Sequence, residues 1–372
     1  MPTLESPLSA EAVREGALDA IWQSSLPTDH EIRRGRRRLH AKATVIAMVL
    51  AAAYWTLVIA DSALWLRLVA AVALVAGLLA TATGVMHDGN HGSFSRFRWL
   101  NRVAGSTGDL LGASSWLWRF KHNHLHHGNT NVEGMDSDIE QQPFARLAPG
   151  QQWRPWHRWQ RFYLWPLYGF FGMKNMFFGD VRNLRNRQIG PVALPNEPSR
   201  GVSTRLLLGK AAHISWALAL PLLFNPWQHV LLFYFVCSWV VGFSLAVLFQ
   251  LAHCVDLAGF TDADAPRRGS HFTSHQMLTT VDIASPVPAL GHAFRWLAGG
   301  LDHQLEHHLA PRLPHTVYPA VARRFHARCA EAGFTAKMHT GLWAALRSHY
   351  RWISEMGRPP VRTLVLDRRG LS

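Results

Sequence analysis

Four long apolar stretches constrain the fold of this chain more than any other feature. They cover residues 43–60, 63–86, 206–224 and 230–251, and a helix needs about 20 apolar residues to cross a bilayer. Short breaks join the stretches in pairs, at Asp61 and around Pro226. Because a membrane-spanning segment must satisfy its own backbone hydrogen bonds, we expect an all-α integral membrane protein with four transmembrane helices in two hairpins.

The distribution of positive charge predicts the orientation of these helices. A run of arginines at 33–38 directly precedes the first apolar stretch, and neither hairpin tip carries an excess of Lys or Arg. Lys and Arg stay on the cytoplasmic side of a membrane. We therefore expect cytoplasmic terminal segments over residues 1–40 and 331–372, and a membrane domain over 41–330. The last hundred residues or so would form a helical cap on the cytoplasmic face, and a bacterial inner membrane is the expected location.

Composition narrows the class of protein further. The formal charge is +14, from 38 Lys+Arg against 24 Asp+Glu, a balance that suits nucleic acid or an anionic membrane surface. The apolar stretches favour membrane lipid as the partner, and no nucleic acid is expected. Three cysteines without a CxxC spacing predict neither a disulfide framework nor a cysteine-bound metal. The 22 histidines are the feature that needs an explanation.

Many of these histidines fall in three clusters outside the apolar stretches. The sequences are HDGNH at 87–91, HNHLHH at 122–127 and HQLEHH at 303–308. Their imidazoles lie side by side or about one helical turn apart, so several ring nitrogens can converge on one point. The predicted topology places all three clusters at one face of the membrane. The candidate metal ligands are His87, His91, His122, His126, His127, His307 and His308, with His303 or Gln304, and with His124 as an additional candidate.

The number of ligands bears on the kind of metal centre. Imidazole binds Zn, Cu, Ni and Fe, so the ligand type alone does not name the metal. Seven or eight histidines and a glutamine are too many for one tetrahedral zinc. They fit two metal ions with open positions, which favours redox and dioxygen chemistry. His253, at the end of the fourth apolar stretch, is a further expected ligand, and His275 is a candidate for the same site.

Acidic residues in or beside the clusters are candidates for holding the imidazoles in place. A metal-bound histidine usually donates its other N–H to a carboxylate or carbonyl. These residues are Asp88, Asp136, Asp138, Asp302 and Glu306. An ordinary role as loop acids or helix caps is an equally good interpretation of any one of them. The remaining histidines, among them His157, His213, His326, His339 and His349, are expected at the surface or the membrane interface.

The three clusters resemble the histidine boxes of the membrane-bound fatty acid desaturases. HDGNH is similar to the first box, HNHLHHGNTNVEGMDSD to the second and GGLDHQLEHHLAP to the third, in the QxxHH form of front-end and linoleoyl-CoA-type members. The order and spacing of the boxes match over roughly residues 40–330. The resemblance implies two iron ions, O₂ as co-substrate and insertion of a double bond into a fatty acyl chain.

The resemblance also implies which residues bind iron. His87, His91, His122, His126, His127, His253, Gln304, His307 and His308 match the ligand positions of the family. Two departures leave alternatives, because His124 is an extra histidine in the second box and His303 lies beside Gln304 in the third. An amide is a weak ligand, so Gln304 would act through a bridging water.

Many front-end desaturases carry a fused cytochrome b5 domain marked by HPGG, which this sequence does not contain. We therefore expect electrons from a separate ferredoxin, rubredoxin or cytochrome b5 type donor with its reductase, and no bound haem or flavin.

Several alternatives stay open at the level of sequence. The same centre can hydroxylate a chain or form a triple bond, and the acyl group could be carried on CoA, lipid or carrier protein. Arg182 and Arg185 are candidates for binding an anionic head group. A histidine-rich membrane metal transporter is the main non-enzymatic alternative. That class places ionisable residues inside its membrane spans, and the apolar stretches here contain almost none.

Overall fold

A computed structural model of the protein describes residues 7–194, 200–262, 272–284 and 288–360. This part of the chain is mostly helical. Its α-helices are α1 Pro7–Ser25, α2 Asp29–Val58, α3 Leu64–Ala80, α4 His87–His91, α5 Arg98–Leu110, α6 Ser115–Arg119, α7 Gln160–Tyr168, α8 Phe171–Lys174, α9 Asp180–Asn186, α10 Arg200–Ile214, α11 Leu220–Leu222, α12 Trp227–His253, α13 Phe272–Thr279, α14 Pro288–Ala298, α15 Gln304–Leu309, α16 Tyr318–Glu331 and α17 Leu342–Met356.

Shorter elements join the helices. The π-helical segments are Thr81–Met86, Phe120–His126, Asn175–Gly179 and Ser215–Ala219, and the 3₁₀ turns are Pro155–Trp159 and His315–Val317. The strands are β1 Val132–Glu133, β2 Gln188–Ile189, β3 Val192–Ala193, β4 Thr261–Asp262, β5 Asp282–Ile283 and β6 Met338–His339. They form two-stranded pairs, β1 parallel to β4, β2 antiparallel to β3 and β5 parallel to β6. The two parallel pairs join chain segments that are distant in sequence and lie near the second and third histidine clusters.

Three helices of the described residues are long and apolar enough to cross a membrane. They are Asp29–Val58, Leu64–His91, in which α3 continues through a π-helical segment into α4, and Trp227–His253. Helix α2 begins well before the predicted span and crosses the predicted boundary at residue 40. Thr28 explains this start, because its hydroxyl accepts the amide of Glu31 while the Glu31 carboxylate accepts the amide of Thr28.

The predicted span at 206–224 corresponds to α10, α11 and the π-helical segment between them. This region is not among the three long apolar helices. Arg205 contacts the Asp109 carboxylate at 3.0 Å, and Lys210 contacts the Asp180 carboxylate at 2.9 Å. These basic side chains fasten the region to α5 and α9, so it is less apolar than its neighbours. A fourth membrane span stays a prediction.

Small residues allow the long helices to pack closely. A Cβ on Gly77 of α3 would lie 2.7 Å from a methyl group of Leu50 on α2, so a larger residue would displace the Leu50 side chain. Ala53, Ala70 and Leu74 are buried in the same contact, with Phe233 of α12 against them. Outside it, the large apolar side chains of Leu64, Trp65 and Val72 among others are exposed. Such an apolar outer surface suits lipid, and the three long helices mark the chain as a membrane protein.

Helix α1 and helices that follow α12 build a second core beside the membrane helices. Leu18 and Trp22 of α1 pack with Val321 and Phe325 of α16, and Leu305 of α15 is buried in the same cluster. Burial of side chains of this size contributes roughly 1.5–3 kcal/mol each. This core therefore holds α15, which carries the third histidine cluster, against the ends of the membrane helices.

Candidate metal centre

The first pair of predicted ligands stands at the end of the second long helix. His87 and His91 are one turn apart on α4 and are both buried. Helix α4 ends at Gly92, whose φ of 77° is the left-handed conformation that glycine adopts without strain. Between the histidines, Gly89 packs so closely on α5 that a Cβ would collide with the backbone of Gly105. This contact fixes the position of α4 and of its imidazoles.

The second cluster depends on a π-helical turn. The amide of His127 donates to the carbonyl of His122 at 3.0 Å, the i to i+5 bond that defines such a turn. The wider turn brings a residue five positions away onto the same side, so that the Nε2 atoms of His122 and His127 lie 3.2 Å apart. His126 is buried beside them. The adjacent histidines therefore share one site although they are neighbours in sequence.

The third cluster meets the end of α12. Gln304, His307 and His308 lie together on α15, and His253 is the last residue of α12. The side-chain nitrogen of Gln304 lies 3.0 Å from Nε2 of His253. His303 precedes the helix, and its Nε2 lies 3.8 Å from the Asp302 carboxylate. The structure thus places Gln304, rather than His303, against the other candidate ligands.

These residues form one continuous cluster with two ends. The nitrogens of His87, His91, His122 and His307 lie within 4.8 Å of one another, and so do those of His126, His253 and His308. A third group of His127, His307 and His308 joins the two ends. Within the first group, the Nε2 atoms of His87 and His122 are 3.3 Å apart. The structure therefore brings all the predicted histidine ligands together.

The outward-facing nitrogens of four histidines have hydrogen-bond partners. Nδ1 of His126 lies 3.0 Å from the Asp136 carboxylate, and Nδ1 of His253 lies 3.3 Å from the Thr279 carbonyl. Nδ1 of His308 lies 3.1 Å from the Thr130 hydroxyl, and Nδ1 of His307 lies 3.4 Å from the Tyr318 hydroxyl. A carboxylate and a carbonyl only accept, so Nδ1 of His126 and of His253 carries a proton. In the neutral ring this leaves a lone pair on Nε2, which faces the cluster.

Burial keeps most of these rings neutral. It lowers the pKa of His122, His127, His307 and His308 well below the usual range, and the neighbouring imidazoles lower it further. His126 differs. Burial lowers its pKa, but the charge and hydrogen bond of Asp136 and the charge of Asp138 together outweigh burial, so the net shift is upward. Neutral imidazole is the form that binds a metal.

The arrangement of lone pairs fits metal ions. The Nε2 atoms of His91, His307 and His308 are buried without a hydrogen-bond partner. Nitrogen lone pairs that meet at about 3.3 Å repel one another unless a proton or a cation lies between them. The donor set therefore fits bound metal ions of the type that imidazole prefers.

The acidic candidates fall into separate environments. Asp136 accepts from His126, and Asp138 lies 3.6 Å from the same ring while pairing with Lys121. Asp88 accepts the backbone and ring N–H groups of His315 at 3.1 Å and lies 3.8 Å from Nδ1 of His87. These three carboxylates therefore lie directly outside the imidazoles.

Asp302 and Glu306 face other partners. Asp302 pairs with Arg295 at 2.9 Å. Glu306 lies 3.3 Å from His326 and forms a group with Asp282 and that histidine. Burial, followed by the charge of Glu306, raises the pKa of Asp282 well above its usual range.

Other candidates lie outside the cluster. His124 is exposed beside Phe120. Nε2 of His275 lies 3.0 Å from the Thr130 carbonyl, and the hydroxyl of the same threonine contacts His308. Arg182 and Arg185 are exposed on α9, so their proposed contact with a head group stays a prediction.

Two further polar residues hold the site, Gln276, which sequence reasoning missed, and Asn131, which is only a weak candidate from the sequence. Gln276 is buried, donates to the His127 carbonyl at 3.2 Å and accepts from Thr130. Asn131 adopts a positive φ of 54° and donates to the His253 carbonyl at 2.9 Å. Nothing in their sequence context separates them from ordinary loop residues. Their partners are more than a hundred positions away, so only the fold shows their role.

The expectation that the remaining histidines lie at the surface is wrong for several. His157, His213, His339 and His349 are buried. His349 has partners on both nitrogens, the Cys254 carbonyl at 2.7 Å and the Tyr168 hydroxyl at 2.8 Å. Histidine is polar enough to be expected at a surface, and only its distant partners make burial favourable.

These observations define the class of protein. It is a membrane protein with a buried, histidine-rich site suited to metal ions, held at the ends of its long apolar helices. A sequence model of the family described as fatty acid desaturase matches residues 63–340, which include every predicted ligand. The chain belongs to the fatty acid desaturase family and is an oxidoreductase that desaturates fatty acyl chains.

Several relatives carry more specific names. The chain is 33% identical to the sn-1 linoleoyl-lipid 6-desaturase of Arthrospira platensis, over 86% of this chain and 85% of that one. The enzyme of the same name from Synechocystis is 30% identical over 88% and 90% of the two chains. The acyl-lipid (8-3)-desaturase of Physcomitrium patens is 32% identical over 77% of this chain, which covers 60% of that protein.

Proposed function

We propose that this protein introduces a double bond into a fatty acyl chain carried on a membrane lipid, with two iron ions at the histidine cluster. The observation that carries the proposal is the meeting of imidazole lone pairs in two groups that a third group connects. When bound, the iron ions would supply the reduction of O₂ and the removal of two hydrogens from adjacent methylene groups. The protein would hold the acyl chain and exclude water.

The proposed ligands divide between two metal positions. His87, His91 and His122 would bind one iron ion, and His126, His253 and His308 the other. His127 lies between the two positions, in the group that it forms with His307 and His308. Gln304 lies beside His253 and would contribute through a water molecule. Asp136 would keep the His126 ring in the orientation that directs Nε2 inward, a role that carboxylates commonly have near metal-bound histidines.

The names of the relatives favour lipid as the acyl carrier. According to their names, the relatives from Arthrospira platensis and Synechocystis act on linoleoyl-lipid and the relative from Physcomitrium patens on acyl-lipid. The exposed Arg182 and Arg185 of α9 offer guanidinium groups for an anionic head group. An acyl chain attached to a bilayer lipid would then enter from the membrane side without leaving the apolar phase.

The proposed topology has four spans with both termini and all histidine clusters on the cytoplasmic side. The arginine run that precedes the first apolar stretch supports this orientation. Labelling of single cysteines introduced near His124 and near Arg312 should succeed only from the cytoplasmic side. Labelling from outside intact cells at either position would contradict the orientation.

We also propose a separate electron donor of the ferredoxin, rubredoxin or cytochrome b5 type with its reductase. Cys237, Cys254 and Cys329 are buried in separate places as free thiols, which supports a donor on another protein. Purified protein should turn over only when such a donor and its reductase are added. Turnover with NADPH alone would contradict this part of the proposal.

Lipid profiling of an expression host tests the reaction itself. A host that lacks such desaturases should accumulate fatty acids with one additional double bond, first in its membrane lipids. The matched controls are His308→Ala, which should abolish the product, and His229→Ala, an exposed histidine at the start of α12 that should not. Hydroxylated or triple-bonded products would favour those reactions instead. Product that appears first on acyl-CoA would contradict the lipid carrier.

A further inference from the structure

A second group of metal-binding side chains lies beside the imidazole cluster. It consists of Asp282 on β5, Glu306 on α15 and His326 on α16, which have ligand atoms within 4.8 Å of one another. Asp282 and Glu306 are 1% and 0% exposed, whereas the His326 side chain is 23% exposed. The group therefore has a buried acidic side and one side open to solvent.

The buried oxygens of this group lack hydrogen-bond partners. Both carboxylate oxygens of Glu306, Oδ2 of Asp282 and Nε2 of His326 have none. The other oxygen of Asp282 accepts the backbone amide of Leu305 at 2.9 Å. Leaving a carboxylate buried without any partner costs several kcal/mol. A pair of facing carboxylates therefore requires a positive species between them.

The distances distinguish a cation from a simple ion pair. Nε2 of His326 lies 3.3 Å from Glu306 and 3.5 Å from Asp282. A charge-assisted hydrogen bond draws its atoms to about 2.7–2.9 Å. By contrast, ligands that surround a metal ion at about 2.1 Å are roughly 3.4 Å apart in tetrahedral geometry. The observed separations match the second arrangement.

We propose that Asp282, Glu306 and His326 bind one divalent cation at a site distinct from the imidazole cluster. Two carboxylates and one imidazole suit Mn²⁺, Fe²⁺ or Zn²⁺, and the exposed side of His326 leaves positions for water. The cation connects β5 and α16 to α15. Because Glu306 is adjacent to His307, the cation also stabilises the helix that carries the third histidine cluster.

Manganese binding to the iron-loaded, full-length protein tests the site. Mn²⁺ is added in increments, its free concentration is followed by electron paramagnetic resonance, and retained iron is measured in the same samples. The site-directed variants are Asp282→Asn, which keeps the acceptor for the Leu305 amide, and His326→Ala. His229→Ala serves as the matched control. The two measurements report on different sites. Iron content reports on the imidazole cluster, whereas the loss of Mn²⁺ affinity in His326→Ala reports on the group of Asp282, Glu306 and His326.

The expected result is one saturable Mn²⁺ per chain with iron retained. Its affinity should fall about tenfold or more in either variant, equivalent to at least one lost ligand, and stay unchanged in His229→Ala. Absence of saturable binding in the unmodified protein would overturn the proposal. Equal binding in all variants, or binding only with loss of iron, would overturn it as well.

Discussion

Two sets of buried histidines in this protein differ in what their nitrogens face. His349 is 0% exposed and both of its nitrogens have protein partners, a carbonyl and a hydroxyl. His307 and His308 are equally buried, but each has an Nε2 without any hydrogen-bond partner. Burial therefore does not distinguish a structural histidine from a candidate metal ligand. The distinguishing feature is whether the second ring nitrogen has a hydrogen-bond partner in the protein.

The two sets also differ in what a substitution should change. The His349 contacts join α17 and α7 to Cys254, the residue directly after His253. That network holds one end of the site in place. The imidazole cluster should hold the metal itself, so its loss should affect chemistry far more than folding.

The largest expected effect comes from the cluster. His307→Ala and His308→Ala should each reduce double-bond formation by roughly a thousandfold or more, because each removes a nitrogen shared between two groups of ligands. Product is measured by lipid profiling, and iron by elemental analysis of the purified variants. A variant that loses iron but keeps the unfolding temperature of the unmodified protein would show that the residue acts on metal binding and not on folding. Normal activity in either variant would break it.

Gln304 and His303 provide the next test. Gln304→Ala should abolish desaturation, since its side chain lies 3.0 Å from His253. His303→Phe should keep iron and part of the activity, because His303 lies before α15 and next to Asp302. Both variants are compared for iron content and product. Loss of iron in His303→Phe together with full activity in Gln304→Ala would reverse the assignment.

His349→Ala should act on stability instead. It leaves the Cys254 carbonyl and the Tyr168 hydroxyl without partners, at a cost of about 2–4 kcal/mol. Tyr168→Phe removes a single hydrogen bond and should cost about 1 kcal/mol. Thermal unfolding in detergent measures both, with iron content as the control. If His349→Ala lost iron without any loss of stability, the proposed division between the two sets would fail.

The most gradual effect is the pH dependence of stability, which is spread over several pH units. Burial lowers the pKa of His349 to about 4, whereas an unfolded histidine titrates near 6.5. The unfolded state therefore binds the extra proton first as the pH falls. Stability should be complete above about pH 6.5 and decline towards pH 4 by at most about 1.4 kcal/mol per pH unit from this group. His349→Gln should reduce that slope, and an unchanged slope would contradict the assignment.

The sequence alone predicted the parts that depend on local pattern. Spacing within a helix identified His87 with His91, and hydropathy identified the stretches that became the long helices. The third long apolar helix of the described residues, Trp227–His253, ends at the histidine that the sequence singled out.

The sequence could not give the contacts between distant residues. It did not predict the contact of Gln276 with His127, or the group of Asp282, Glu306 and His326. Both depend on tertiary packing between separate elements. Nor did pattern alone show that Arg205 and Lys210, at the start of the predicted span, pair with carboxylates on α5 and α9.

Metal analysis of the purified protein tests the central claim most directly. We predict about two iron ions per chain in the unmodified protein, and their loss in His127→Ala, because His127 joins the two groups of imidazoles. Iron content should be unchanged in His229→Ala. Stoichiometric zinc with no iron, or iron that stays bound in His127→Ala at full occupancy, would contradict the account.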